Sequence, residues 1–131
     1  MEVNVINQLS EEIYSQNAKK GFWYEKRNIG ELLMLVTSEL AEALEADRKS
    51  KKADKSKIEE LIKEGHTWQD SEVSFKSAFE NSIKDTFEDE IADAAIRIFD
   101  LAGGLGIDLN FHIQQKLAYN KTRPAKHGKN Y

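Results

Sequence analysis

Residues 28–47 read NIGELLMLVTSELAEALEAD, and this stretch decides the fold. Asn28 followed three residues later by Glu31 has the form of a capping box, the arrangement that satisfies the free amides at a helix start. Leu32, Leu33, Val36, Leu40, Ala43 and Leu44 then recur at spacings of three and four, which predicts an amphipathic helix running to about Asp47. Glu39 and Glu42 lie three apart on it, so their carboxylates stand on one side, about 4.5 Å apart along the axis. Turned at about 100° per residue, Glu39 falls inside the arc of Leu32, Val36 and Ala43, and Glu42 falls at its edge. A carboxylate inside a core-facing stripe is costly to ionise unless a cation, a metal or another partner compensates it.

Working outward, a matching pair appears downstream. Phe87, Ile91, Ala94, Ala95, Ile98, Phe99 and Ala102 share one face of a helix expected over about 83–103, and Glu90 and Asp93 border that face, again three apart. Packed together, the two helices bring four carboxylates to one pocket. Val3, Ile6, Leu9 and Ile13 predict a first helix over about 2–19, followed by the aromatic loop Phe22-Trp23-Tyr24. Gly103, Gly104 and Gly106 are expected to end the third helix. Asp108 caps a last one that reaches about Lys121, before Pro124. Residues 48–82 contain a lysine-rich run, a short helical phrase from Ile58 to Ile62 and a polar stretch with Trp68, and read as an insertion or partly mobile connection. The expectation is one all-α domain over 1–131 with four-helix-bundle-like packing.

The chain has 131 residues, no cysteine and one proline, which excludes disulfides and thiolate metal sites and leaves long helices uninterrupted. The first residues lack a basic start and an unbroken apolar run, and no later stretch approaches a membrane span, so a soluble cytoplasmic protein is expected, without a membrane partner. A formal net charge of -4 argues against binding to polymeric nucleic acid. The charge is segregated: seven acids stand against Lys84 and Arg97 between Glu80 and Asp100, whereas Leu109 to Tyr131 holds five Lys or Arg and no acid. Such a division suggests a cation site and an anion site. Carboxylate oxygens without histidine or cysteine suit Mg²⁺ or Mn²⁺ and poorly suit zinc or copper. Carboxylate-bridged di-iron bundles use Glu-x-x-His, and Glu42 and Asp93 occupy the corresponding positions here. Lys116, Asn120 and Arg123 follow an i, i+4, i+7 spacing and share a face suited to a polyphosphate, extended by His127 and Lys129. The plainer alternative is surface acids on amphipathic helices with a solvated basic tail. The conjunction of two acidic pairs, one invading an apolar stripe, weighs against it. His66 and His112 carry no evident chemistry.

These residues resemble the all-α nucleotide pyrophosphohydrolases of the MazG-like superfamily. The resemblance rests on Ser38-Glu39-Leu40-Ala41-Glu42-Ala43-Leu44, on Glu88-Asp89-Glu90-Ile91-Ala92-Asp93, and on Lys116-x-x-x-Asn120-x-x-Arg123-Pro124-x-x-His127-Gly128-Lys129. It implies that Glu39, Glu42, Glu90 and Asp93 hold magnesium, with manganese as a substitute. It assigns phosphate contacts to Lys116, Asn120, Arg123 and Lys129. The implied reaction is hydrolysis of (deoxy)nucleoside triphosphates between the α and β phosphates, with Glu42 or Glu39 handling the water. A homodimer or homotetramer is implied as well. Trp23 and Asn28 stand where they could meet a base, although packing and helix capping are their plainer roles. One departure is the 47 residues between Glu42 and Glu90, longer than is common in the family. The extra segment reads as a lid over the nucleotide or as surface decoration. A nucleotide sensor without turnover and a purely structural helical oligomer are the competing functions.

Overall fold

The computed structural model of the chain describes residues 4–65 and 72–124. Among these residues every regular element is helical: α1 Val5–Lys19, α2 Ile29–Arg48, α3 Ser56–Lys63, α4 Glu72–Ser82, α5 Phe87–Leu105 and α6 Leu109–Lys121. The all-α expectation therefore holds, with six helices where four were expected. None is long and apolar enough to cross a membrane. The chain divides into two compact units, one comprising Asn28–Arg97 and the other Met1–Arg27 with Ile98–Tyr131.

In the Asn28–Arg97 unit, α2 begins as its sequence predicts. The Asn28 side chain accepts from the Glu31 amide at 2.8 Å, and its Nδ2 donates to Glu31 Oε1 at 3.1 Å. Among the described residues of 48–82, the helices α3 and α4 stand where an insertion or partly mobile connection was expected. They pack against each other as a helical hairpin. Two backbone bonds close the neck of that hairpin, Phe87 N to Lys51 O and Asp54 N to Ser82 O, each 2.9 Å. The Glu88 carboxylate accepts from the Ala53 amide beside them. Residues 83–86 form a turn rather than the first turn of α5. Asp85 adopts φ 64°, and Thr86 Oγ1 accepts from the Asp89 amide at 3.3 Å, as a capping residue does.

In the other unit, Asp108 caps α6 as expected, accepting from Phe111 N at 3.0 Å, and also from Asn7 Nδ2 at 2.8 Å. These bonds, that from Asn7 first, hold its carboxyl below the usual aspartate range. Asn7 Oδ1 in turn accepts from Asn110 N at 3.0 Å, tying α1 to α6. Gly103 and Gly104 do not end α5, which continues through them to Leu105 and is left by Gly106 at φ +68°. They serve close packing instead. A Cβ on Gly103 would lie 2.7 Å from Tyr14 Cβ and 2.9 Å from the Ser10 carbonyl oxygen, and one on Gly104 would enter the Trp23 ring. Ser10, buried at this crossing, donates its hydroxyl to the Phe99 carbonyl. Ala at a mid-helix glycine ordinarily stabilises by about 1 kcal/mol. Here Gly103→Ala is expected to destabilise instead, by ~1–3 kcal/mol and with a melting temperature several degrees lower, because α1 must move. A circular-dichroism melt checks the sign.

Among the described residues the buried apolar side chains are all alanines: Ala43, Ala46, Ala78, Ala94 and Ala102. The larger ones stay outside. On α2, Leu33, Leu40 and Leu44 are each about half exposed and follow one another at seven- and four-residue spacing, beside the face that buries Glu39.

Candidate functional site

The buried face of α2 centres on a charge. Glu39 is 8% exposed and is flanked on that face by buried Ala43 and Ala46, one and two turns further on. Helix α5 supplies Glu90, 5% exposed, together with buried Ala94 and half-buried Asp93 and Arg97. Glu39, Glu42 and Glu90 each present a carboxylate oxygen within 4.8 Å of the others. Two of the three are buried, and Glu42 is exposed. Asp93 is not part of that triplet, although it lies close enough for their charges to raise its pKa.

Arg97 is a member of the site that the sequence reading did not identify. Its Nε donates to Glu39 Oε1 at 2.7 Å. Burial pulls the Glu39 pKa upward, but the bond and charge of Arg97, with bonds to Glu42 and Glu90, outweigh it and leave Glu39 below the ordinary value. A signal was available, since Glu90, Asp93 and Arg97 follow i, i+3, i+7 spacing along one side of α5.

Glu90 has no such compensation. Burial raises its pKa first, followed by proton sharing with Glu42, the charge of Glu42, proton sharing with Glu39 and the charge of Asp93, which together bring it to about 7. Its Oε2 is buried without a hydrogen-bond partner. Burial, then the charges of Asp89, Glu39 and Glu42, raise Asp93 as well, against the lowering effect of Arg97. Beside Glu42 and Glu90 lies a cavity of about 270 Å³, lined also by Asp85, Glu45, Lys49 and Lys51. Lys49 Nζ is 3.3 Å from Glu45 Oε1. A further triplet, Asp85, Asp89 and Glu90, also holds oxygens within 4.8 Å of one another and shares Glu90 with the first.

The donor set fits a hard divalent cation. It consists of carboxylate oxygens, it contains no nitrogen or sulfur ligand, and it includes one buried oxygen with nothing to bind. Folded Glu90 retains its proton between the ordinary 4.5 and about 7, where the unfolded chain has lost it. The stability this contributes is complete below the lower value and is lost as pH rises through the upper one. Asp93 acts in the same direction. Glu39, held below its ordinary value, is ionised in both states across this window and contributes no slope. The metal-free protein is accordingly expected to melt at a lower temperature at about pH 8 than at about pH 5.5, and the stabilisation by magnesium to grow over the same interval as the cation displaces the proton. Scanning calorimetry in EDTA and in magnesium at the two pH values reads both effects.

The remaining residues predicted to act in a site have these positions. Lys116 and Asn120 are exposed on α6, and Arg123 is half-buried just beyond it. Lys116 Nζ is 5.1 Å and Arg123 Cζ 5.7 Å from the centre of the Tyr119 ring, so the structure gathers these two cations at one aromatic ring. Lys129, His127, Trp68 and His66 lie outside the described residues. Trp23 Nε1 donates to Asp100 Oδ1 at 3.0 Å, and its ring meets Tyr14 edge-on at 5.2 Å. Both ends of the Asn28 amide are engaged in the cap of α2. Comparison with known protein families, with curated proteins and with solved structures finds no match for this chain.

Proposed function

We propose that the chain is a MazG-like nucleoside triphosphate pyrophosphohydrolase, cleaving a (deoxy)nucleoside triphosphate with water into the monophosphate and pyrophosphate. The observation that carries this reading is the buried Glu39–Glu42–Glu90 cluster, with its orphaned Glu90 oxygen, beside a cavity lined by Lys49 and Lys51. Acids that hold a cation and lysines that meet phosphate oxygens are what a metal-bound triphosphate needs. Glu39, Glu42, Glu90 and Asp93 would hold magnesium, or manganese in its place. Bound there, the metal supplies charge neutralisation on the phosphates and acidifies water.

The chain's own residues account for the rest. Water attacks the α-phosphorus, the bond from that phosphorus to the α–β bridging oxygen breaks, and pyrophosphate leaves with the bond's electron pair. The water's proton passes to a carboxylate. Of the two residues the sequence singled out for that role, Glu42 is better suited. Glu39 is bonded to Arg97 and depressed in pKa, hence a weaker base, whereas Glu42 is exposed at the edge of the cluster. Arg97 keeps Glu39 ionised and oriented. The resemblance further assigns phosphate contacts to Lys116, Asn120, Arg123 and Lys129. A homodimer or homotetramer belongs to the same proposal, supported by the uncovered Leu33, Leu40 and Leu44 stripe. So does a cytoplasmic setting.

The test is incubation of purified protein with a panel of ribo- and deoxyribonucleoside triphosphates and magnesium, resolving all phosphate products. Monophosphate with pyrophosphate in equal amounts supports the reaction. Orthophosphate as the sole phosphate product overturns it, and nucleotide-dependent stabilisation without turnover indicates a sensor.

A further inference from the structure

A second cavity, of about 540 Å³, opens between α4 and the start of α5. One side is aromatic: Phe75 and Phe79, a turn apart on α4, are half-buried with ring centres 6.1 Å apart and planes inclined at 31°. The opposite side is mainly acidic, formed by Asp85, Asp89 and Asp93 with Lys84 beside them. Asp93 is one of the proposed magnesium ligands, and Asp85 and Asp89 share the second triplet with Glu90. Lys76 and Glu80 stand on the α4 side with the rings.

Building on the pyrophosphohydrolase reading, we propose that this cavity is the nucleobase subsite, with Phe75 and Phe79 as the surfaces on which the base stacks. A ligand that suits it is flat and apolar at one end and brings divalent cations to the other, since three carboxylates against the one cation Lys84 leave a net negative charge that disfavours an anion arriving without them. A metal-bound nucleotide has that division of character. Its base stacks on the phenylalanine rings, while its phosphates are carried on cations toward Asp93 and Glu90. The cavity lies within the usual range of about 300–1,000 Å³ for small-molecule sites. Lys76 and Glu80, which pair with each other at 3.9 Å, are exposed on the same side of the cavity. The aromatic and amide expected from sequence to meet a base, Trp23 and Asn28, have their polar groups engaged elsewhere. The α3–α4 hairpin thereby acquires a specific role, because its closed neck fixes where α4 runs into the turn that leads to α5.

Phe75→Leu and Phe79→Leu keep apolar bulk and remove the ring, and Phe79→Tyr keeps the ring. KM for the best triphosphate and inhibition constants for its monophosphate and for inorganic pyrophosphate are measured for each in magnesium. Each leucine variant is expected to raise KM and the monophosphate constant by about five- to fiftyfold, the cost of a lost base stack, with the pyrophosphate constant within about twofold of the parent. Phe79→Tyr, which restores a ring, should recover most of the loss seen in Phe79→Leu. An unchanged monophosphate constant in both leucine variants overturns the proposal, as does a parallel rise for pyrophosphate. If the parent turns over no triphosphate, the reaction assignment fails separately. Equilibrium dialysis of the monophosphate panel then decides the subsite: binding by the parent that the leucine variants lose supports it, whereas equal binding, or none by the parent, overturns it.

Discussion

Glu42→Gln is expected to reduce kcat by about a thousandfold or more while changing the melting temperature by no more than a few degrees. The asymmetry follows from its position. Glu42 is exposed, and none of its bonds holds the fold together, yet its oxygen lies within 4.8 Å of both Glu39 and Glu90. Glutamine preserves size and one acceptor oxygen but can neither take a proton from water nor offer a full charge to a metal. A fall in kcat at nearly constant KM would identify an interaction made in the transition state. A rise in KM alone would instead reduce Glu42 to a residue of ground-state metal binding. Retention of parental activity would remove it from the site. Steady-state kinetics over a wide range of magnesium concentrations separates these outcomes.

The second large effect concerns stability, at Arg97. Arg97→Met removes the donor to Glu39 Oε1 and leaves a carboxylate that is 8% exposed next to Glu42 and Glu90. Breaking a buried ion pair by deleting one partner costs ~3–5 kcal/mol. Because the Arg97 side chain is itself 38% exposed, solvent screens part of the pair, and a loss of ~1–3 kcal/mol is expected in the metal-free protein. Saturating magnesium should narrow the gap between variant and parent, since a bound cation supplies positive charge that Arg97 no longer does. Adding Glu39→Gln to the variant should recover most of the loss, because no charge is then left uncompensated. Urea denaturation with EDTA and with magnesium measures all three quantities. A variant as stable as the parent without metal would show that Glu39 relaxes by taking up a proton.

The parts of this structure that follow local rules were legible in the sequence. The Asn28 cap, the α2 stripe, the intrusion of Glu39 into it, the Asp108 cap and the acidic edge of α5 each depend on residues within a turn or two of one another. Part of what was missed depends on neighbours distant along the chain, and part on local signals that compete with stronger ones. Gly103 and Gly104 look like helix terminators by intrinsic propensity, but the close approach of Ser10, Tyr14 and Trp23 gives them another purpose. The helix α4 was hidden because its apolar Val73, Phe75 and Phe79 are separated by Ser74 and by Lys76, Ser77 and Ala78, a weakly periodic pattern that packing against α3 nonetheless stabilises. The start of α5 was placed four residues early, because Ile83 suits the apolar face and the Thr86-x-x-Asp89 capping signal was passed over. Arg97 was missed because attention to acids left aside the cation on the same face.

The paired backbone bonds at Lys51–Phe87 and Asp54–Ser82 also bear on how such a protein can diverge. A hairpin tied at its base is joined to the rest of its unit by a short fixed link, through which changes in α3 and α4 are passed to the chain on either side. On the proposed reading, the hairpin is the part of the unit that can vary with what is recognised, while the carboxylates of α2 and α5 are the part held constant.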